Sequence, residues 1–130
     1  MLFSKKELNF EVPKVMGIIN LTPDSFSDGG KFICPKTLKT DRNKVLKEIE
    51  KMESGGAAFI DIGAESSRPS ASQISVTEEL DRLMPILEDI KNINAVVSID
   101  SSKGEVIFEA IKYGVDFIND INSLKDHKSL

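Results

Sequence analysis

Three stretches of this chain concentrate side chains able to do chemistry. Asn20 to Gly30 reads NLTPDSFSDGG, Gly63 to Ala71 reads GAESSRPSA, and Val97 to Lys103 reads VSIDSSK, with FINDI following at Phe117 to Ile121. In the first, Thr-Pro-Asp and Asp-Gly-Gly are turn formers around an aromatic, Phe26. A plain connection would read the same way, yet connections this long are uncommon without a function. In the second, Arg68 stands among serines. A guanidinium beside hydroxyls can grip a diphosphate, binding two of its oxygens at once; a surface arginine among turn-forming serines reads equally well. In the third, Asp100 could cap a helix, but Ser101 and Ser102 offer caps too, which leaves Asp100 for a ligand. A carboxylate at Asp100 and an amide at Asn119 suit an edge of alternating donors and acceptors, such as a heterocyclic base or a pterin.

These residues need elements to position them. Short apolar runs recur at Val15–Asn20, Ala58–Ile62, Val96–Asp100 and Val115–Asp120. Each is about the length of a strand and reads as one buried on both faces, as parallel strands are. Between them lie helical patterns. Val45, Ile49 and Met52 share a face, with Gly55 and Gly56 as the stop. Leu80, Leu83, Leu87 and Ile90 share another, with a capping box at Ser75–Glu78 and a proline, Pro85, that should kink the helix. A third helix is expected from Lys103 to Tyr113, with a capping box at Ser102–Glu105 and Gly114 after its end. The segment Phe3–Val12 is read as a short hairpin or a lid.

Alternation of strand and helix gives an α/β protein with a parallel sheet. An open doubly wound sheet and a (β/α)8 barrel compete. No glycine-rich dinucleotide fingerprint or phosphate loop follows the first strand, which weakens the open sheet. Each strand instead ends in a polar residue: Asn20, Asp61, Asp100, Asn119 and Asp120. In a barrel such strand ends converge on one point, where the active sites of that fold lie. A complete barrel takes roughly 250 residues, and this chain has 130. The expectation is a single partial domain over residues 1–130, the N-terminal half of a (β/α)8 barrel with about four parallel strands.

Composition narrows the function classes. Charged residues make up 29% and hydrophobic residues 40%, with a net charge of −4, which suits a globular domain and argues against a partner with a phosphate backbone. Cys34 is the only cysteine, so a disulfide within the chain and a thiolate metal cluster are excluded. Lys5, Lys6, Glu7, Glu11 and Lys14 interrupt any signal-peptide core, and no apolar run approaches bilayer length. A soluble cytoplasmic protein without nucleic-acid or membrane partners is expected.

VMGIINLTPDSFSDGG, DIGAESSRPSA and SIDSSK followed by FINDI closely resemble, in order and spacing, the three N-terminal signatures of the dihydropteroate synthase family. The resemblance runs from about Val15 to Leu124 and covers about the first half of that family's barrel. It implies a transferase of folate biosynthesis that condenses 7,8-dihydropterin-6-ylmethyl diphosphate with p-aminobenzoate, releasing diphosphate. Carried over by resemblance, Asn20 is the magnesium ligand and Mg2+ the cofactor. Phe26, Ser27 and Asp28 belong to a mobile first loop that closes over p-aminobenzoate. Ser67, Arg68 and Pro69 belong to a second loop that receives diphosphate and p-aminobenzoate. Asp100 and Asn119 hydrogen-bond the pterin ring, and Ile121 is its apolar neighbour. Asp28 and Arg68 would be the catalytic pair, the first stabilising positive charge and the second taking the departing anion. Ser67 stands where the family usually has threonine, and Gly104 where it often has proline. The family's further aspartate, lysine and Arg/His pair lie on later strands. Lone His127 reads as solvent-exposed rather than as a substitute for them. The resemblance also leaves a pterin-binding methyltransferase domain and a non-catalytic fragment as alternatives. A homodimer would hide the edges of a four-stranded half.

Overall fold

The computed structural model describes residues 2–3, 6–23, 30–66 and 68–122. Strands β1 (Leu2–Phe3) and β2 (Lys6–Glu7) pair antiparallel, so of the hairpin or lid expected over Phe3–Val12 the pairing spans Leu2–Glu7 only, and residues 8–14 form no strand. Then follow β3 (Val15–Asn20), α1 (Arg42–Ser54), β4 (Ala57–Gly63), α2 (Val76–Leu87), a 3-10 turn at Ile90–Asn92, β5 (Val96–Asp100), α3 (Gly104–Lys112) and β6 (Phe117–Asn119). Strands β3 to β6 form one parallel sheet in chain order, β3-β4-β5-β6. Consecutive order is what a barrel requires, whereas a doubly wound sheet reverses its order partway.

The helix ends follow local chemistry. Asp41 caps α1 by accepting from the Lys44 amide, and the helix stops before Gly56, whose φ of +97° favours glycine. Ser75 caps α2 by accepting from the Glu78 amide, as its spacing predicts. The α2 pattern was expected to reach Ile90. It ends at Leu87, two residues past Pro85, and Ile90 stays buried in the following 3-10 turn. At α3 the expected Ser102–Glu105 box does not form. The helix starts at Gly104, so Lys103 and not Ser102 occupies the cap position, and it makes no side-chain cap bond; Ser101 Oγ accepts from the Lys103 amide. Gly114 ends α3 with φ +87°, as expected.

Register sorts the strand residues onto two faces. Gly17, Ile19, Ile60, Ile62, Val97 and Ile99 point to the helices, and all of these except Gly17 are fully buried. Gly17 lets α1 approach: a Cβ there would lie 2.5 Å from Met52 Sδ. The other, concave face carries Ile18, Asn20, Asp61, Gly63, Ser98, Asp100, Phe117 and Asn119. Burial on both faces holds for β5 and the end of β4. It fails for the edge strands β3 and β6, where Ile18 and Phe117 are each 45% exposed. An edge strand has a neighbour on one side only. Among the described residues, no helix is long and apolar enough to cross a membrane.

Candidate functional site

The pairing register brings four residues into one row at the C-terminal ends of the strands. Asn20 pairs with Gly63, Gly63 with Asp100, and Asp100 with Asn119. Three of the four carry amide or carboxylate groups. Gly63 keeps the row open, since a Cβ there would sit 3.4 Å from Asp100 Cβ and 3.5 Å from its Oδ2. Any side chain larger than alanine would crowd that carboxylate.

One layer deeper on the same face, Asp61 and Ser98 are register partners, exposed by only 4% and 0%. Asn119 Nδ2 donates to Asp61 Oδ2 at 3.1 Å. Asp61 Oδ1 and Ser98 Oγ are buried without a hydrogen-bond partner among the described residues. The charge here is concentrated and negative. Burial, reinforced by Asp61, Glu79, Asp120 and Glu65, pushes the Asp100 carboxyl from its ordinary 3.8 up to about 6. A carboxylate held this way gains from any ligand that brings N–H donors or positive charge.

The connection leaving β4 is clasped at its ends. Glu65 Oε2 accepts from the Ile74 amide at 2.8 Å and from Lys103 Nζ at 2.6 Å, and the same ammonium donates to Glu79 Oε2 at 2.7 Å. Glu79 is 1% exposed. Burial alone would lower the Lys103 pKa, but hydrogen bonds to Glu65 and Glu79 outweigh it and hold the ammonium above its ordinary value. Arg82 Nη1 also donates to the Ala64 carbonyl, fixing the start of the connection to α2. Arg68 and Pro69 lie exposed beyond this clasp, with a turn closed by the Ala71 amide on the Arg68 carbonyl at 3.0 Å. Ile121, just past β6, is 70% exposed.

The expected residues Phe26, Ser27, Asp28 and Ser67 lie outside the described residues, as does His127. The first connection is bracketed by a bond from the Gly30 amide to the Thr22 carbonyl at 2.6 Å. The sheet therefore gathers Asn20, Asp100 and Asn119, while Arg68, Pro69 and Ile121 sit on connections leaving that same end. A cavity of about 400 Å³ lies at the opposite end, lined by Glu7, Leu8, Glu53, Ala57 and Asn94 among others. None of the polar row lines it, so concavity and chemistry point to different places, and chemistry is the better guide.

Sequence reasoning noted Asp61 only as a polar strand end and missed its pairing with Asn119. A charged residue inside an apolar strand was the available signal, because such residues are rarely buried without a partner. The Glu65–Lys103–Glu79 cluster left no local signal, since its members stand far apart in the chain. Among the described residues no group of three or more His, Cys, Asp or Glu is placed to hold a metal ion. Asn20 offers one exposed amide at the rim. That fits a magnesium ion sharing its other oxygens with a phosphate ligand and water, not a protein cage.

Known proteins match this chain in sequence and fold. The sequence model of the pterin binding enzymes matches residues 16–130. The chain is 44% identical over 128 residues to the dihydropteroate synthase of Haemophilus influenzae, covering 98% of this chain and 44% of that protein. Its fold superimposes on Yersinia pestis dihydropteroate synthase in a sulfonamide drug complex with a TM-score of 0.88 at 40% identity, over 99% of this chain and 45% of that one. It also matches Burkholderia cenocepacia dihydropteroate synthase complexed with 7,8-dihydropteroate, with a TM-score of 0.78 at 34% identity, over 98% and 39%. The chain spans less than half the length of these relatives, and its four strands and their helices correspond to the N-terminal half of their barrel. By sequence and fold, this chain belongs to the pterin binding enzymes.

Proposed function

We propose that this chain carries the N-terminal half of a dihydropteroate synthase site. The observation that carries the reading is the row Asn20–Gly63–Asp100–Asn119, with its polar groups on one open face at one end of the sheet. Asp100 and Asn119 would hold the pterin ring, with Ile121 as its apolar neighbour. Arg68 would receive the diphosphate, together with Ser67 and Pro69. Phe26, Ser27 and Asp28 would close over p-aminobenzoate.

The reaction is substitution at the pterin methylene. The carbon–oxygen bond to diphosphate breaks with its electron pair, and the arylamine nitrogen supplies the pair for the new carbon–nitrogen bond before losing a proton. A dissociative path puts positive charge on the pterin. Asp100 and Asp28 would stabilise that charge while Arg68 stabilises the departing anion. Asn20 would hold Mg2+ through its amide oxygen, and the bound ion would supply neutralisation of the diphosphate charge. The reading also makes the protein cytoplasmic, and lets two copies pair so that the β3 and β6 edges are covered.

The test is to join this chain to the C-terminal half of a homologous dihydropteroate synthase. Dihydropteroate formation from pterin diphosphate, p-aminobenzoate and magnesium is then measured. Turnover is expected from the fusion and not from the 130-residue chain alone, and Asp100→Ala should lower it by tenfold or more, on the order of a lost charged hydrogen bond. A folded fusion without product, or one indifferent to Asp100→Ala, would overturn the reading.

A further inference from the structure

We infer that Asp61 is a positioning residue that fixes which way the Asn119 amide faces, and thereby sets the site's choice of ligand edge. The inference rests on the pterin reading for the ligand, and on the structure alone for the positioning.

A primary amide has an oxygen that accepts and two N–H groups that donate, and rotation by half a turn exchanges them. At Asn119 the choice is made by a neighbour. Its Nδ2 donates to Asp61 Oδ2 at 3.1 Å, across 58 positions of sequence. An ionised carboxylate only accepts, so turning the amide would set its oxygen against the Asp61 oxygens and lose the bond. The cost is high because Asp61 is 4% exposed, where water cannot substitute for the lost donor. One N–H is thus committed to Asp61. The other N–H and the carbonyl oxygen remain for a ligand, in fixed order.

Two further observations place Asp61 in the site instead of the packing. The register puts it on the concave face, one layer beneath the Asp100–Asn119 pair. Its Oδ1 and the Oγ of its register partner Ser98 are both buried and unpartnered among the described residues, so the layer below the rim keeps hydrogen-bonding capacity in reserve.

The consequence is selectivity by edge. A pterin carries an amino group at its position 2, beside a ring nitrogen that accepts, which suits one carbonyl and one N–H from Asn119. Lumazine, its 2-oxo analogue, puts a carbonyl at the same place and faces the Asn119 oxygen. With Asp61 holding the amide, the mismatch cannot be relieved by rotation. With an amide at position 61, rotation becomes free, because the new side chain can donate as well as accept.

Two measurements on the 130-residue chain test this. In the 15N-labelled protein, the Asn119 side-chain amide should show slowed hydrogen exchange that Asp61→Asn abolishes and Ser98→Ala leaves in place. An Asn119 signal indifferent to Asp61→Asn overturns the positioning claim. By calorimetric titration, the parent should prefer pterin to lumazine by about tenfold or more, the scale of one unpaired buried polar group. Asp61→Asn should bring that ratio close to one. Equal weakening of both compounds would mean a merely structural role and overturns the inference. If Asp61→Asn does not fold, the parent decides: an Asn119 side-chain amide that exchanges as fast as those of the other exposed asparagines overturns the positioning claim. Binding of neither compound by the parent overturns the pterin reading and the selectivity with it, while the exchange experiment still decides the positioning.

Discussion

The two faces of the sheet are built from alternate residues of the same strands, and they could hardly differ more. Toward the helices stand Ile19, Ile60, Ile62, Val97 and Ile99, all fully buried. Toward the concave side, one residue further along in each case, stand Asn20, Asp61, Gly63, Ser98 and Asp100. Because strand side chains alternate with a period of two, a slip of one residue would exchange the sets and put the carboxylates into the core. The apolar set therefore fixes the register, and the register alone aligns the polar row. Stability and ligand chemistry are carried by different residues within a few ångströms of one another, so they should break separately.

The largest effect is expected at the charged exception on the helix side. Lys103→Met leaves Glu79, 1% exposed, without its ammonium partner, and also releases the Glu65 clasp. Stranding a buried charge costs about 3–5 kcal/mol, which urea denaturation would read as a large fall in midpoint. Retained stability would show that Glu79 takes up a proton or water at little cost. Next comes Ile99→Ala, a fully buried side chain on the apolar face, with an expected loss of about 2–5 kcal/mol. Ile18→Ala on the concave face, 45% exposed, should cost well under half of that. Equal losses at the two positions would mean that something covers the concave face in solution.

The same contrast explains what could be read from the sequence. Strands β3 and β5 match the apolar runs VMGIIN and VVSID residue for residue, and β4 extends its run by one residue at each end, because hydrophobic runs between turn formers are a local signal. The Ser75 cap was local too. The Ser102–Glu105 box was a spacing match that failed, since the helix begins one residue later, at Gly104, and places Lys103 at the cap. Strand ends gave Asn20, Asp100 and Asn119. The Asp61–Asn119 bond was not legible, because two strands and a register lie between its partners. For the same reason, Lys103 looked like an ordinary helix-start residue until Glu65 and Glu79 were seen to converge on it.

At Asp100 the comparison sharpens into opposite signs. Its carboxyl titrates near 6 in the folded protein, pushed up mainly by burial, against an ordinary 3.8. Between those two values the unfolded chain releases the proton while the folded chain keeps it, so this group's contribution to stability falls as pH rises through the window. Asp100→Asn removes that penalty. The variant should be more stable than the parent above pH 6, with the gap closing as pH falls toward 4. Its pterin affinity should nevertheless drop by roughly tenfold, the scale of a charged hydrogen bond replaced by a neutral one. Parent binding should also strengthen as pH rises through about 6. Urea midpoints at pH 4 and 8, with a pterin titration at each, check both signs; a variant less stable than the parent at pH 8 would mean that the ionised carboxylate supports the fold.

The smallest stability effect, and the most selective functional one, is expected at Arg68. Its side chain is exposed on the connection between β4 and α2, beyond the Glu65–Ile74 clasp. The backbone turn at this point is closed by the Arg68 carbonyl and the Ala71 amide, neither of which depends on the guanidinium. Arg68→Ala should accordingly shift stability by no more than about 0.5 kcal/mol, as exposed substitutions do. In the fused barrel it should weaken turnover with p-aminobenzoate and pterin diphosphate, since a guanidinium that grips two phosphate oxygens has no replacement in alanine. Affinity for the bare pterin ring should stay as it was, because Asp100 and Asn119 remain in register at the strand ends. Turnover and ring affinity falling together would place Arg68 against the pterin and erase the division between connection and strand end. An unchanged turnover would return it to the plain surface arginine that its serine-rich surroundings also allowed.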